Sequence, residues 1–197
     1  SDEDDGADSN TSFDLTNSWN AFTTGNSRLT SSKLDVSSGD RDPLINFVRG
    51  IDAYDDNLNG ETTDKLDWIL GSFLHSRPYI IHYADRTVIY AGANDGMLHA
   101  FDDATGEELW GFIPPCLLAM LKYLHTETPP IYVDGSPKAY VTYDGSGNVT
   151  KAVLIFGLRR GVDKDGKGYY YALDVTNPLV PDRKSTRLNS VTSAHLV

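Results

Sequence analysis

The sequence predicts an all-β fold built from about two small antiparallel sheets, with short helices inserted between them. The first observation behind this is Val88–Trp110, where three short apolar runs alternate with turns rich in Gly, Asn and Asp. Val88, Ile89 and Tyr90 begin a strand, Met97–Phe101 form a second, and a third closes on Trp110. Asn94-Asp95-Gly96 and Asp103-Ala104-Thr105-Gly106 supply the Asx side chains and glycines that let a backbone turn with φ above zero. The second observation is an internal echo: Gly157, Gly168, Ala172 and Asp174 keep the order of Gly92, Gly96, Ala100 and Asp102. The third is composition, since 11 Tyr, 7 Phe and 3 Trp in 197 residues suit half-buried pleated surfaces. Short strands so closely spaced belong to a sandwich, a barrel or propeller blades.

Taken in order, residues 1–39 are rich in Ser, Asp, Asn, Thr and Gly and are expected to form a disordered or extended lead-in. Asp42 can cap a short helix with Pro43 in its first position, Leu44, Phe47 and Val48 on its buried face, and Gly50 at its end. Tyr79–Tyr83 is a strand that feeds the meander through Ala84-Asp85-Arg86. Pro114-Pro115 opens a helix running to about Leu124, apolar nearly all round and therefore mostly buried. Ile131–Pro137 reads as a strand and turn, Ala139–Tyr143 and Ala152–Phe156 as a hairpin, and Tyr169–Val175 as the next strand. The folded domain is thus placed at residues 40–181. Residues 182–197 turn basic and continue no strand pattern; they resemble a translated sequencing-adapter read-through and are set aside as a non-native tail.

Charge and composition exclude several classes. A net charge of -11 argues against a nucleic-acid partner, which needs clustered Lys and Arg, and favours cations. Cys116 is the single cysteine, which excludes an internal disulfide and a thiolate zinc cluster. No apolar run approaches the roughly 20 residues of a membrane span, and no signal peptide is visible. The chain starts at Ser1, so the expectation is an internal piece of a longer protein.

One stretch has the pattern of a metal site. Asp55-x-Asn57-x-Asn59-Gly60-Glu61 places oxygen side chains on alternating residues, with a turn glycine sixth and a carbonyl seventh, as in the first half of an EF-hand calcium loop. Thr63 and Asp64 can add oxygens, but the twelfth position is Leu66, with Asp67 one residue late. The candidate ligands for calcium are Asp55, Asn57, Asn59, Glu61 and Asp64, and the same residue types also build a plain solvated turn. Asp163-Lys164-Asp165-Gly166, Asp134-Gly135 and Asp144-Gly145 read as turns. His75, His82 and His99 show no paired metal spacing and are assigned to structural hydrogen bonds. Arg159-Arg160, between two glycines, is expected to satisfy carbonyls and carboxylates between blades. No serine sits in a Gly-x-Ser-x-Gly setting, so nucleophilic hydrolysis has no anchor and no enzyme activity is expected.

Two resemblances follow from these motifs. The series Gly92-x-x-Asp95-Gly96-x-x-x-Ala100-x-Asp102-x-x-Thr105-Gly106-x-x-x-Trp110 resembles the repeat of quinoprotein-like β-propellers, in which the Trp packs between neighbouring blades. Six motifs in order, Asp42–Gly50, Leu70–Pro78, Gly92–Asp102, Thr105–Trp110, Val133–Pro137 and Gly157–Gly161 with Gly168–Asp174, resemble the propeller domain of the PilC/PilY family of type IV pilus tip-associated proteins. The resemblance runs over about residues 42–181, and departs from the family at Ser72, Arg77 and Val162–Asp165. It implies a partial quinoprotein-like β-propeller of about two blades from a bacterial protein of the cell surface or pilus tip. It further implies work in pilus assembly, retraction control and surface adhesion, modulated by calcium. The implied partners are pilin or minor pilins, host or abiotic surfaces, and the remaining blades of the parent propeller. The alternative is a piece of a quinone-dependent (PQQ-type) dehydrogenase, motivated by the Ala100–Trp110 repeat alone.

Overall fold

The computed structural model describes residues 15–126 and 131–183. Eight strands form two four-stranded sheets, each a simple antiparallel meander. The first holds β1 (Tyr79–His82), β2 (Thr87–Gly92), β3 (Leu98–Asp102) and β4 (Glu108–Phe112). The second holds β5 (Lys138–Tyr143), β6 (Val149–Gly157), β7 (Tyr170–Asp174) and β8 (Asp182–Arg183). This is the all-β architecture expected of two adjoining blades of a partial propeller. The turns form as their residues dictate: Asp102 Oδ1 accepts from the Ala104 and Thr105 amides, and Asp144 Oδ1 from those of Ser146 and Asn148. Gly106 and Gly147 then take φ of 73° and 84°, which a side chain would disfavour.

The echo in the sequence is an identity of register. In the first sheet Tyr79 pairs with Tyr90, Tyr90 with Ala100, and Val88 with Asp102. In the second, Lys138 pairs with Ile155, Ile155 with Ala172, and Val153 with Asp174. Residue for residue, Val88, Tyr90, Ala100 and Asp102 therefore correspond to Val153, Ile155, Ala172 and Asp174. The burial of corresponding positions is nevertheless opposite. Ile81, Val88, Tyr90 and Ala100 of the first sheet face the second sheet and are buried, while Tyr140, Ile155 and Tyr170 of the second lie on its exposed face. The second sheet turns its other face inward, with Ala152, Leu154, Phe156, Tyr171 and Leu173. Two sheets related head to tail in this way each keep one unused face, which is how a rotational repeat is built.

The interface between the sheets is the main core. Phe112 meets Phe156 and Tyr171 edge-on at 6.0 and 5.8 Å, and the latter two stack at 5.6 Å. Trp110 crosses the seam, its Nε1–H donating to the Pro178 carbonyl at 2.7 Å. The Tyr83 hydroxyl does the same with Val175, at 2.7 Å, while bonded to the Tyr90 hydroxyl. Far along the chain, the Leu15 amide donates to the Pro181 carbonyl at 3.1 Å. A second, smaller core joins the short helices α1 (Ser31–Leu34) and α2 (Arg41–Val48) to a 3-10 helix at Pro115–Tyr123, through Leu29, Leu34, Leu44, Ile45 and Leu121.

Several expectations are corrected. Residues 15–39 are no extended lead-in: they hold a 3-10 turn at Ser18–Asn20 and α1, capped by Thr30 Oγ1 on the Lys33 amide; residues 1–14 lie outside the described part. Helix α2 starts after Asp40 rather than Asp42, and Ile45 rather than Phe47 joins Leu44 in the core. The Pro114–Leu124 helix winds as 3-10, with Leu117 N–H bonding Pro114 O, and buries only Leu117 and Leu121. Ile131–Pro137 forms no strand; its Val133 amide bonds Ala93 O and its Asp134 amide bonds Leu158 O, which threads the segment between the ends of the two sheets. Asp182–Arg183 is strand β8, paired with Leu173 and Asp174, so the supposed tail begins inside the fold; residues 184–197 are not described.

Candidate functional site

The acidic loop is a closed turn on the edge of the helical core. Ile51 and Lys65 form an isolated bridge, and the Asp52 and Leu66 amides bond Asp64 O and Gly50 O, so the two ends meet at a neck. Asp52 is buried there, and its carboxylate accepts from the Asp56 and Asn57 amides at 2.7 and 3.3 Å. Inside the loop Asp55 and Leu58 take φ of 54° and 57°, and Gly60 takes 87°. Asp55 tolerates this because its carboxylate accepts the Gly60 amide at 3.0 Å.

Four of the five predicted ligands are joined by hydrogen bonds. The Asn57 and Asn59 Nδ2 groups both donate to Asp64 Oδ2, at 2.9 and 3.1 Å. Their Oδ1 atoms accept from the Asn59 and Glu61 amides, as Asx turns do. These bonds, Asn57's first and then Asn59's, hold the Asp64 carboxyl below its ordinary value. Asp64 Oδ1 is shielded from solvent and has no partner among the described residues. Glu61 is bound only through its amide, with its side chain exposed. Chemically the loop is a hydrogen-bonded turn in which amide N–H groups, rather than amide oxygens, meet the central carboxylate. In this arrangement the Asn57 and Asn59 side-chain oxygens face backbone amides, so a cation at Asp64 requires both side chains to turn. Among the described residues no group of three or more His, Cys, Asp or Glu is arranged to hold a metal.

Sequence reading missed what lies beside the loop. His125 Nε2 bonds Asp56 Oδ1 at 2.6 Å, and its ring stacks on Tyr54 at 4.3 Å and meets Phe47 edge-on at 5.1 Å. Burial raises the Tyr54 hydroxyl above its ordinary pKa, with help from the negative charges of Asp40 and Asp56. The walls of this 360 Å³ hollow include Phe47, Asp56 and His125. Nothing local in the sequence signals it, since 69 positions separate His125 from Asp56.

The remaining histidines and arginine behave structurally. His99 is buried between Asp95 and Glu108, with Nε2 3.0 Å from Asp95 Oδ2 and Nδ1 2.6 Å from Glu108 Oε1. Burial pulls its pKa down, but the bonds and charges of Asp95 and Glu108 outweigh this and hold it up at about 9. Asp95 in turn accepts the Gly71 amide at 2.7 Å, so it is more than a turn builder. Asp134 likewise exceeds its turn assignment: it is buried, and takes His75 Nδ1 at 2.9 Å and Arg159 Nη1 at 3.1 Å. Arg159 thus satisfies a carboxylate, but one of its own sheet's entering segment; His75, from the segment entering the first sheet, is the partner that crosses between the two. Asp163 stays a hairpin builder, accepting from the Asp165 and Lys167 amides.

Comparison with known proteins finds relatives of one kind. A type IV pilus biogenesis factor PilY1 homolog of Xylella fastidiosa (strain Temecula1) is 33% identical over an alignment of 161 positions covering 68% of this chain. The type IV pilus biogenesis factor PilY1 of Pseudomonas aeruginosa strain PAK is 32% identical over 177 positions, covering 73% of it. That of strain PAO1 is 44% identical over 98 positions, or 46% of the chain. The chain spans only 13%, 14% and 8% of these relatives' lengths. No family model and no solved structure matches.

Proposed function

Because the chain is a PilC/PilY-family segment, we propose that it forms two neighbouring blades within a type IV pilus biogenesis factor, and that its parent acts in pilus assembly, retraction control and surface adhesion. The observation that carries the pilus part of this is the 32–44% identity to three proteins named type IV pilus biogenesis factors; retraction control and adhesion rest on the family resemblance. The opposed burial of corresponding sheet faces supports the propeller part of the reading, because each spare face needs a neighbouring sheet. On this reading the blades sit at the cell surface or pilus tip, where pilins, minor pilins and host or abiotic surfaces are the partners. Calcium held at Asp55, Asn57, Asn59 and Asp64, with Glu61 at the rim, modulates the site, and the orphaned Asp64 oxygen supports that assignment.

The dehydrogenase alternative gains no support. Its motif residues are used in building the blade: Ala100 pairs with Trp110, and Asp102 organises the β3–β4 turn. The test is an in-frame deletion of residues 40–181 in the parent gene. Loss of surface pili, twitching and attachment, restored by the intact gene, is expected. Normal piliation and attachment in the deletion strain overturns the reading.

A further inference from the structure

Asn59-Gly60 is the single Asn-Gly step in the chain. At such a step the glycine nitrogen can attack the asparagine side-chain amide, because no Cβ shields it. Three groups are placed around that reaction. The Gly60 N–H donates to both oxygens of the Asp55 carboxylate, at 3.0 and 3.2 Å. Asn59 Oδ1 accepts the Glu61 amide at 2.7 Å, in an Asx turn that folds the side-chain carbon back toward the Gly60 nitrogen. Asn59 Nδ2, the nitrogen that must leave, donates to Asp64 Oδ2 at 3.1 Å. Gly60, at a φ of 87°, has open space where a side chain would stand, and Asn59, Gly60 and Glu61 are all exposed to water.

Asn57 supplies the comparison within the same loop. It makes the same turn, with Oδ1 on the Asn59 amide at 3.0 Å, and its Nδ2 reaches the same Asp64 oxygen. The residue after it is Leu58, which carries a side chain, and the Leu58 N–H is bonded to the Asp55 backbone carbonyl rather than to a carboxylate.

We propose that Asn59 is a self-modifying residue: the folded loop converts it to aspartate or isoaspartate, with Asp55 as the general base and the Glu61 amide as the oxyanion donor. The Gly60 nitrogen bonds to Asn59 Cγ while its proton passes to the Asp55 carboxylate. The tetrahedral oxygen is stabilised by the Glu61 N–H already directed at it. The Cγ–Nδ2 bond then breaks, and the nitrogen departs as ammonia with that proton. Water opens the resulting cyclic imide at either carbonyl, so the net change is one water consumed and one ammonia released. The product has a carboxylate at position 59 where Asp64 had an amide donor, so the loop gains one negative charge and loses a bond that closed it. The loop thus carries a change that depends on the age of the protein. Neither the chemistry nor its test depends on the calcium assignment.

The test follows Asn59 in the full-length protein, kept in chelator at neutral pH in water enriched in heavy oxygen and mapped by peptide mass spectrometry. Conversion at Asn59, with heavy oxygen incorporated, should be at least tenfold faster than at Asn57, and at least threefold faster in the folded protein than in urea. Asp55→Asn keeps an oxygen for the Gly60 amide and suits the left-handed φ of 54°, but removes the base. A positioned base is commonly worth about a hundredfold or more, so this variant should slow conversion at least tenfold in the folded protein and leave the urea rate unchanged. Conversion that is equally fast or faster in urea overturns the proposal, since the loop then protects the residue. A folded Asp55→Asn rate equal to or above that of the unaltered protein overturns it as well.

Discussion

The two sheets share one register and differ in what they do with it. At the position where the second sheet places Tyr171 in an aromatic stack with Phe156, the first sheet places His99 between two carboxylates. At the position of Phe156 it has Ala91. The second sheet's inward face is thus a dry aromatic interface, while the matching face of the first sheet holds a buried charged cluster under Phe73 and Phe101. A repeat therefore conserves backbone pairing more strictly than side-chain chemistry. Packing energy concentrates where the two sheets meet, and the unpaired face is held by electrostatics.

The largest effect should come from breaking the interface. Phe156→Ala removes a ring from the stack and should cost about 3–5 kcal/mol in urea unfolding, whereas Ile155→Ala on the opposite face should cost far less in this chain. Equal losses would refute the opposed-face assignment. Next is the charged cluster. The His99 pKa is raised from 6.5 to about 9 in the folded state, so its contribution is full below about pH 6.5 and fades as pH rises through about 9. Unfolding midpoints should fall over that window by the equivalent of on the order of 2–3 kcal/mol, and His99→Phe, which makes this site resemble the Tyr171 site, should flatten the profile. A smaller change is expected at Gly161, where an added Cβ would lie 1.7 Å from the Tyr132 carbonyl oxygen. Gly161→Ala should cost about 1–3 kcal/mol by thermal melting, while Gly145→Ala, with open space around it, should cost little. The smallest effect on stability lies in the acidic loop. Calorimetric titration should give calcium binding with a dissociation constant of about 10⁻⁴–10⁻³ M, and Asp64→Asn should abolish it while leaving the melting temperature nearly unchanged. No heat from the unaltered chain would remove the calcium assignment.

Much of this was legible in the sequence, for a physical reason. Strand positions and hairpin turns depend on nearest-neighbour patterns, so Val88–Trp110 and the Lys138–Gly157 hairpin could be read locally. The family was also legible, because ordered motifs survive where single residues change. What could not be read were contacts between distant segments. Asp134 looks like any turn aspartate until His75 and Arg159 arrive from 59 and 25 positions away. Ile131–Val133 has strand composition but no strand partner, since its place is the gap between sheets. The 15–39 stretch is polar on average, yet Leu29 and Leu34 are enough to anchor it once α2 and the Pro115–Tyr123 helix provide a surface. The acidic loop was legible as a turn from its Asp, Asn and Gly residues, but the oxygen spacing that singled out Asp55, Asn57, Asn59, Glu61 and Asp64 gave no sign that the two asparagines would turn their nitrogens toward Asp64.

The bond from Leu15 to Pro181 bears on the order in which the chain assembles. Each sheet closes through hairpins of neighbouring strands, which form on a microsecond scale. The Leu15–Pro181 contact joins points far apart in the chain and must wait for both sheets to be in place. Its amide should therefore gain protection last in a pulse-labelled refolding experiment and exchange first under native conditions. The edge at β8 is then the slowest part of the molecule to be covered, and the place where a partly folded chain is most open to strand exchange with another.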